Sequence, residues 1–262
     1  MEEDLVSIIT PTYNCGQFIG ETIRSVKAQS YANWELIIYD DCSMDATDKI
    51  VTSFLKDDPR IRYFQNEKNS GAAVTRNNAL RKANGHWIAF LDSDDLWTSD
   101  KLEKQLRFMK ERGYHFSYHE YVEIDENSKE LGVYVSGIKR VTRLDMYSCC
   151  WPGCLSVIYD ANEIGLVQIA DVKKNNDTAI WLKVVEKADC YLLKESLGFY
   201  RRRKGSITPP GIKARIGWHY ILFHDAAGKS RLVSIFWMCI NILGNIYKKI
   251  FYVKKYEVKR CE

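Results

Sequence analysis

The sequence predicts an α/β fold: a Rossmann-like, mostly parallel sheet with helices on both faces. Three observations carry that expectation. Apolar segments too short for helices recur at residues 6–9, 34–39, 61–64 and 87–91, and runs of this length bounded by turn residues read as buried strands. The segments between them carry helical spacing, so strands and helices alternate as a parallel sheet requires. Polar and acidic residues also gather where these strands end, at Thr10, Asp41 and Asp92–Asp95. In open α/β sheets ligands bind outside the carboxyl ends of the strands.

The elements follow in order. Val6-Ser7-Ile8-Ile9 is the first strand, and Pro11, which has no amide donor, is expected to stop it. Phe18, Ile19, Ile23 and Val26 then fall on a helical period. The second strand, residues 34–39, runs into Asp40 and Asp41, with Asp45 shortly after. Residues 46–55 are amphipathic, with Ile50, Val51, Phe54 and Leu55 as the apolar face. After the third strand Gly71 opens a helix over residues 72–83, and the fourth strand ends in Asp92, Asp94 and Asp95. Three like charges at the end of a buried strand raise one another's pKa unless something positive neutralises them. No lysine or arginine lies close by in sequence. A divalent cation on oxygen ligands would balance the charge; an acidic turn that caps the next helix is the other reading.

Residues 101–112 form a helix over the sheet, after which residues 114–124 and 131–135 alternate as strands. A turn at Pro152-Gly153 precedes a strand at 155–159, and Asn176-Asp177 opens a helix over 178–185. Residues 191–193 and 197–200 read as short strands. Arg201-Arg202-Arg203-Lys204, followed by the Gly- and Pro-containing residues 205–211, makes a basic flexible loop. Residues 232–260 mix an apolar run with paired lysines. That run is too short and interrupted to span a bilayer. It suits a basic amphipathic helix lying on an anionic membrane surface, or one docked on the domain with its lysines in water.

Composition narrows the class. Of 262 residues 46% are hydrophobic and 27% charged, ordinary for a globular protein. The net charge of +4 is no argument for a nucleic-acid partner. The acidic opening Met1-Glu2-Glu3-Asp4 is unlike a signal peptide, so the expected location is the cytoplasm, with the eight cysteines reduced. Cys149, Cys150 and Cys154 cluster without a second pair at zinc spacing. His115 and His119 lie in a strand-like alternation rather than on one helical face.

Four motifs in chain order carry a family resemblance. They are Val6-Ser7-Ile8-Ile9-Thr10-Pro11-Thr12-Tyr13-Asn14, Trp34 to Asp45, Gly71 with Arg76-Asn77, and Phe90-Leu91-Asp92-Ser93-Asp94-Asp95-Leu96-Trp97. Together they resemble family 2 glycosyltransferases, densely over the first 115 residues and more thinly to about residue 208. The resemblance implies a GT-A fold, with a nucleotide-sugar-binding half at 1–115 and an acceptor-binding half at 116–210. Residues 211–262 would form a C-terminal helical, basic, membrane-associating segment. It implies inverting, metal-dependent transfer of a hexose-type sugar from a UDP-sugar to a saccharide or polyprenyl-diphosphate-linked acceptor. The pathway it suggests is capsule, O-antigen or teichuronic-type synthesis, at the inner face of the plasma membrane.

By position, Thr10, Asp41 and Arg76 match nucleotide-binding residues, and Asp92 matches the ribose-side partner. Asp94 matches the ligand of Mg2+ or Mn2+. Asp95 matches a position that either binds sugar hydroxyls or caps the next helix. Asp177 matches the general base of a Glu-Asp pair that precedes a Trp-Leu, here Trp181-Leu182; Asn176 stands where glutamate is usual. An aspartate in that place also suits a helix N-cap. Tyr200-Arg201 through Ser206-Ile207-Thr208 resembles a segment in which Arg201 and Arg203 would close over the donor, or face anionic lipid. A sugar nucleotidyltransferase is a competing class, but it needs a glycine-rich loop where this chain has Thr-Pro-Thr-Tyr-Asn-Cys-Gly. A catalytically silent sugar-nucleotide-binding subunit is another, prompted by Asn176.

Overall fold

A computed structural model describes residues 2–170, 172, 174–203 and 212–258. The first half folds as β1 (Glu2–Thr12), α1 (Ile19–Lys27), β2 (Trp34–Asp40), α2 (Thr47–Leu55), β3 (Ile61–Gln65), α3 (Ala72–Leu80) and β4 (Gly85–Phe90). β1 lies between β4 and β2, β3 lies beyond β2, and all four run parallel. Successive side chains of a strand point to opposite faces, and here both faces are buried. Val6, Ile8, Leu36, Ile38, Trp87 and Ala89 pack with Ile19, Ile23 and Val26 of α1. Ile9, Ile37, Ile88 and Phe90 pack on the other side with Ala79 and Leu80 of α3. Helices therefore cover both faces, as expected.

Pro11 does not stop the first strand. β1 continues to Thr12 in register with Asp40. The Ile9 carbonyl accepts from Leu91 N–H, so odd-numbered residues of β1 face β4, whose pairing ends there. The donor that Pro11 lacks faces a side with no strand left to pair.

The second half adds β5 (Leu96–Trp97), α4 (Lys101–Arg112), β6 (Phe116–Ile124), β7 (Glu130–Val135), β8 (Arg140–Val141), α5 (Arg143–Ser148), β9 (Ile158–Asp160) and α6 (Ala161–Ile164). Then come α7 (Asn176–Val184), β10 (Cys190–Arg201), α8 (Ile212–Ile221), α9 (Arg231–Phe251) and β11 (Val253–Lys255). β9 is antiparallel to both β4 and β6, so it splices the second half onto the parallel strands in one sheet. Where the sequence suggests two strands at 191–193 and 197–200, a single strand, β10, runs beside β6 through two irregularities in register. The strand expected from residue 155 begins only at Ile158, after a tight turn at Cys154–Ser156.

Residues 232–260 are not one helix. α9 ends at Phe251 and the chain returns to the sheet as β11, paired antiparallel with β7. One side of α9 docks: a Cβ at Gly244 would lie 2.0 Å from the Ser148 carbonyl, so only glycine fits this approach. Asn241 Nδ2 donates to the Tyr147 carbonyl at 2.9 Å. The other side leaves Leu232, Phe236, Leu243, Ile246, Ile250 and Phe251 exposed. Among the described residues no helix is long and apolar enough to cross a membrane.

Candidate active site

The ends of β1, β2 and β4 form one rim. The loops after β1 and β2 are stitched together: Asn14 N–H donates to Ser43 Oγ, Met44 N–H to Asn14 Oδ1, and Gly16 N–H to Asp45 Oδ2 at 2.9 Å. Thr10 is fully buried at this rim and, like Thr12, has a hydroxyl with no partner among the described residues. Asp41 is 4% exposed. Its Oδ1 accepts from Asn66 Nδ2 at 2.8 Å and Ser70 N–H at 2.7 Å, and its Oδ2 accepts from Gly71 N–H at 2.8 Å. Asp41 thus holds the loop that leads into α3, with its charge at the positive end of that helix. A carboxylate has about four acceptor sites, so one is left for a ligand N–H. Tyr13, 46% exposed just beyond β1, adds an aromatic face to the rim. In the sequence Tyr13 is one residue of the first motif, and its place in a strand-end loop is the local signal for it.

The acidic loop after β4 is neutralised in part by arginines that are remote in sequence, a source of positive charge beside the divalent cation that the sequence suggests. Arg76 lies 2.6 Å from Asp92 Oδ1 and also donates to Asn176 Oδ1. Arg203 Nε lies 2.9 Å from Asp94 Oδ2, close enough for an ion pair but without hydrogen-bond alignment. Charge nevertheless remains in excess. Burial, and then the neighbouring Asp92, push the Asp94 carboxyl above its ordinary range despite Arg203. Burial, then Asp94 and Asp92, push Asp95 well above its own. Among the described residues no three His, Cys, Asp or Glu side chains gather into a ready metal cage. Magnesium, however, binds through one or two carboxylates plus substrate phosphates. The Cys154 thiol near Asp92 is held protonated by burial, so the available donors are hard oxygens. The carboxylate oxygens of Asp94 and Asp92 are of the hard type that fits Mg2+ or Mn2+.

Asp95 and Arg201 stand differently from their expected roles. Asp95 is 1% exposed; its Oδ1 accepts from Arg201 N–H at 2.9 Å, and its Oδ2 has no partner among the described residues. It does not cap α4, whose N-cap is Asp100, and it is closed to sugar hydroxyls. Its carboxylate instead pins the end of β10 to the acidic loop. The Arg201 side chain is fully buried, with all three of its nitrogens bonded to protein acceptors. Nε donates to the Asp94 carbonyl at 2.7 Å, one Nη reaches the Asp125 and Glu126 carbonyls and Ser128 Oγ, and the other pairs with Glu21 at 2.8 Å. The side chain has no exposed surface to offer a ligand, so Arg201 is a strut. Arg203, with a side chain 30% exposed, is the arginine of this segment that still faces the site. Residues 206–208 lie outside the described residues.

Asp177 sits opposite. The N-cap of α7 is Asn175, in the left-handed conformation with φ 54°, so Asp177 lies inside the first turn and is not the cap. Its Oδ1 accepts from the N–H of the adjacent Thr178 at 2.7 Å. Two contacts fix α7 over the acidic loop. Trp181, fully buried, meets Phe90 of β4 edge-on at 5.1 Å, and Asn176 accepts from Arg76. Burial opposes the charge on Arg76, but the Asp92 and Asp177 carboxylates around it hold its pKa above the ordinary value. Arg76 therefore lies in the field of both Asp92 and Asp177.

Comparison with known proteins places this arrangement. The family model described as glycosyl transferase family 2 matches residues 7–147. TuaG of Bacillus subtilis, a glycosyltransferase assigned to teichuronic acid biosynthesis, is 42% identical over 80% of this chain and 84% of its own. The Escherichia coli UDP-Glc:alpha-D-GlcNAc-diphosphoundecaprenol beta-1,3-glucosyltransferase WfgD is 40% identical over 79% of this chain and 81% of its own. Among solved structures, Staphylococcus aureus TarS in complex with UDP-GlcNAc superposes with a TM-score of 0.73. The match covers 94% of this chain and 73% of TarS at 20% identity, a likeness of fold. The chain belongs to glycosyltransferase family 2 and is a sugar-transferring enzyme of the GT-A fold.

Proposed function

We propose that the enzyme transfers a hexose, with inversion, from a UDP-sugar to a saccharide carried on a polyprenyl diphosphate, in cell-surface polysaccharide synthesis. The observation that supports this reading is that Arg76 pairs with Asp92 through one Nη and holds Asn176 through the other, with Asp177 in its field. WfgD supports the choice of substrates, since its name states a UDP-glucose donor and a diphosphoundecaprenol-linked acceptor.

In this reading residues 1–115 bind the nucleotide sugar and residues 116–210 shape the acceptor side. Thr10, Asp41, Arg76 and Asp92 hold the nucleotide, and Arg203 swings from Asp94 towards the diphosphate. Bound at Asp94, Mg2+ or Mn2+ supplies charge stabilisation for the departing diphosphate. Asp177 accepts the proton of the acceptor hydroxyl, and a carboxylate in that position is what the attack needs. Attack from the face opposite the leaving group inverts the anomeric carbon.

A transfer assay tests the reading. With manganese, UDP-glucose and an isoprenoid-diphosphate-linked N-acetylglucosamine, the enzyme should form a disaccharide lipid. Asp94→Ala should remove metal-dependent donor binding and transfer while leaving the unfolding midpoint in place. Intact donor with every acceptor tried, or full activity in Asp94→Ala, would contradict it.

Residues 211–262 supply a peripheral contact with anionic lipid at the inner face of the plasma membrane. The exposed apolar side of α9, flanked by Lys248 and Lys249, supports this. Replacing Phe236 and Ile250 by aspartate should release the protein from vesicles containing phosphatidylglycerol. Unchanged co-sedimentation would count against the contact.

A further inference from the structure

A groove of about 450 Å³ opens between α5 and α9, remote from the nucleotide rim. Ile138, Trp151, Ile240, Leu243 and Tyr247 give it apolar walls. The carboxylate on its wall, Asp145, is already engaged by Thr142, from its N–H at 2.9 Å and its hydroxyl at 2.6 Å. At Trp151 the character changes. Its ring is 5% exposed, and its indole N–H is buried with no partner among the described residues. Lys248 donates to the carbonyls of Cys150 and Trp151 at 2.9 and 2.7 Å, which uses two of its three N–H donors. Cys150, the next residue along, lies within the field of Asp177. In the other direction the groove opens onto Leu243, 63% exposed, and so onto the apolar face of α9.

An apolar trough with a cation and a free N–H at the end near the proton acceptor matches one kind of amphiphile: an isoprenoid chain joined to a diphosphate. We propose that this groove binds the isoprenoid chain of the lipid-diphosphate acceptor, with Lys248 and the Trp151 indole on its diphosphate side. The proposal rests on the lipid-acceptor reading of the active site and adds where the lipid lies. It also ties the two halves of α9 chemistry together. The exposed face meets the bilayer, and the groove leads a single chain from there towards Asp177.

Direct binding separates the two readings. The full chain, in buffer free of vesicles and detergent and with the donor site filled by saturating UDP, is titrated with farnesyl diphosphate and with inorganic diphosphate. Farnesyl diphosphate should bind at least tenfold more tightly, and Leu243→Asp, at an exposed position, should erase that gain while UDP affinity stays the same. Equal affinity for the two probes, or an undiminished gain in Leu243→Asp, overturns the groove. A self-association that Leu243→Asp dissolves also overturns it, since a second copy would then be the occupant. If the gain is present and lost in Leu243→Asp, yet no isoprenoid-linked saccharide accepts sugar, the groove stands and the acceptor reading fails.

Discussion

Asp177→Asn is expected to lower kcat by about 10²–10⁴, the usual span for removing a positioned general base, with donor affinity unchanged. Asparagine keeps the shape and can still accept from Thr178 N–H, so the start of α7 should hold. It cannot take the acceptor proton. Trp181 against Phe90 and Asn176 against Arg76 keep the helix in place without help from the Asp177 carboxylate. A loss in kcat with the Kd for UDP-sugar intact therefore isolates the chemical step. Turnover at the normal rate would remove Asp177 as the base.

Arg201→Met should destabilise the fold by about 3 kcal/mol, near the lower end of the cost of breaking a buried, hydrogen-bonded ion pair. Methionine fills part of the volume but donates nothing. The carbonyls of Asp94, Asp125 and Glu126 each lose a donor, and Glu21 keeps Ser128 while losing its cation. Because Glu21 is 39% exposed, water compensates part of that loss. The urea midpoint should fall, and donor affinity should fall with it, because the strut fixes the backbone of Asp94 itself. The ion pair also has a pH signature. Burial works against the Glu21 carboxylate, but Ser128 and Arg201 hold its pKa below the ordinary value. Its contribution is complete above the unfolded carboxylate pKa and fades as pH falls through the lower folded value. The difference between the native enzyme and Arg201→Met should therefore shrink in acid. An unchanged midpoint at neutral pH would mean that Arg201 is not a strut.

Much of the site could be read in the chain because its signals are local. A strand of four to seven residues followed at once by polar groups announces a sheet rim, and β1, β2 and β4 deliver Thr10, Asp41 and Asp92 to it. The family pattern that singles out Asp177 includes Trp181, and the structure shows what that tryptophan does: it keys α7 to β4. What escaped the sequence depends on partners far away. Arg201 reaches Glu21 across 180 residues, and no local pattern says whether an arginine after a strand faces ligand or carboxylate. Asp95 looked like its neighbour Asp94, yet the return of β10 buries one and leaves the other at the site. Pro11 was read as a stop because the pairing on its donor side ends elsewhere in the chain. The basic tail looked like one helix because its last residues pair with β7, more than a hundred positions earlier.

The most direct test of the proposed mechanism is the anomeric configuration of the product. A single displacement assisted by Asp177 on one face, with the diphosphate leaving from the other, must invert the sugar carbon. With UDP-glucose, whose glucose is α-linked, the proton NMR spectrum of the disaccharide lipid should show a β-linked glucose with a large coupling between H1 and H2. An α-linked product would mean that the sugar leaves and is attacked on the same face. In that case Asp177, Asp92 and Asp94 do not work as opposed halves of one site.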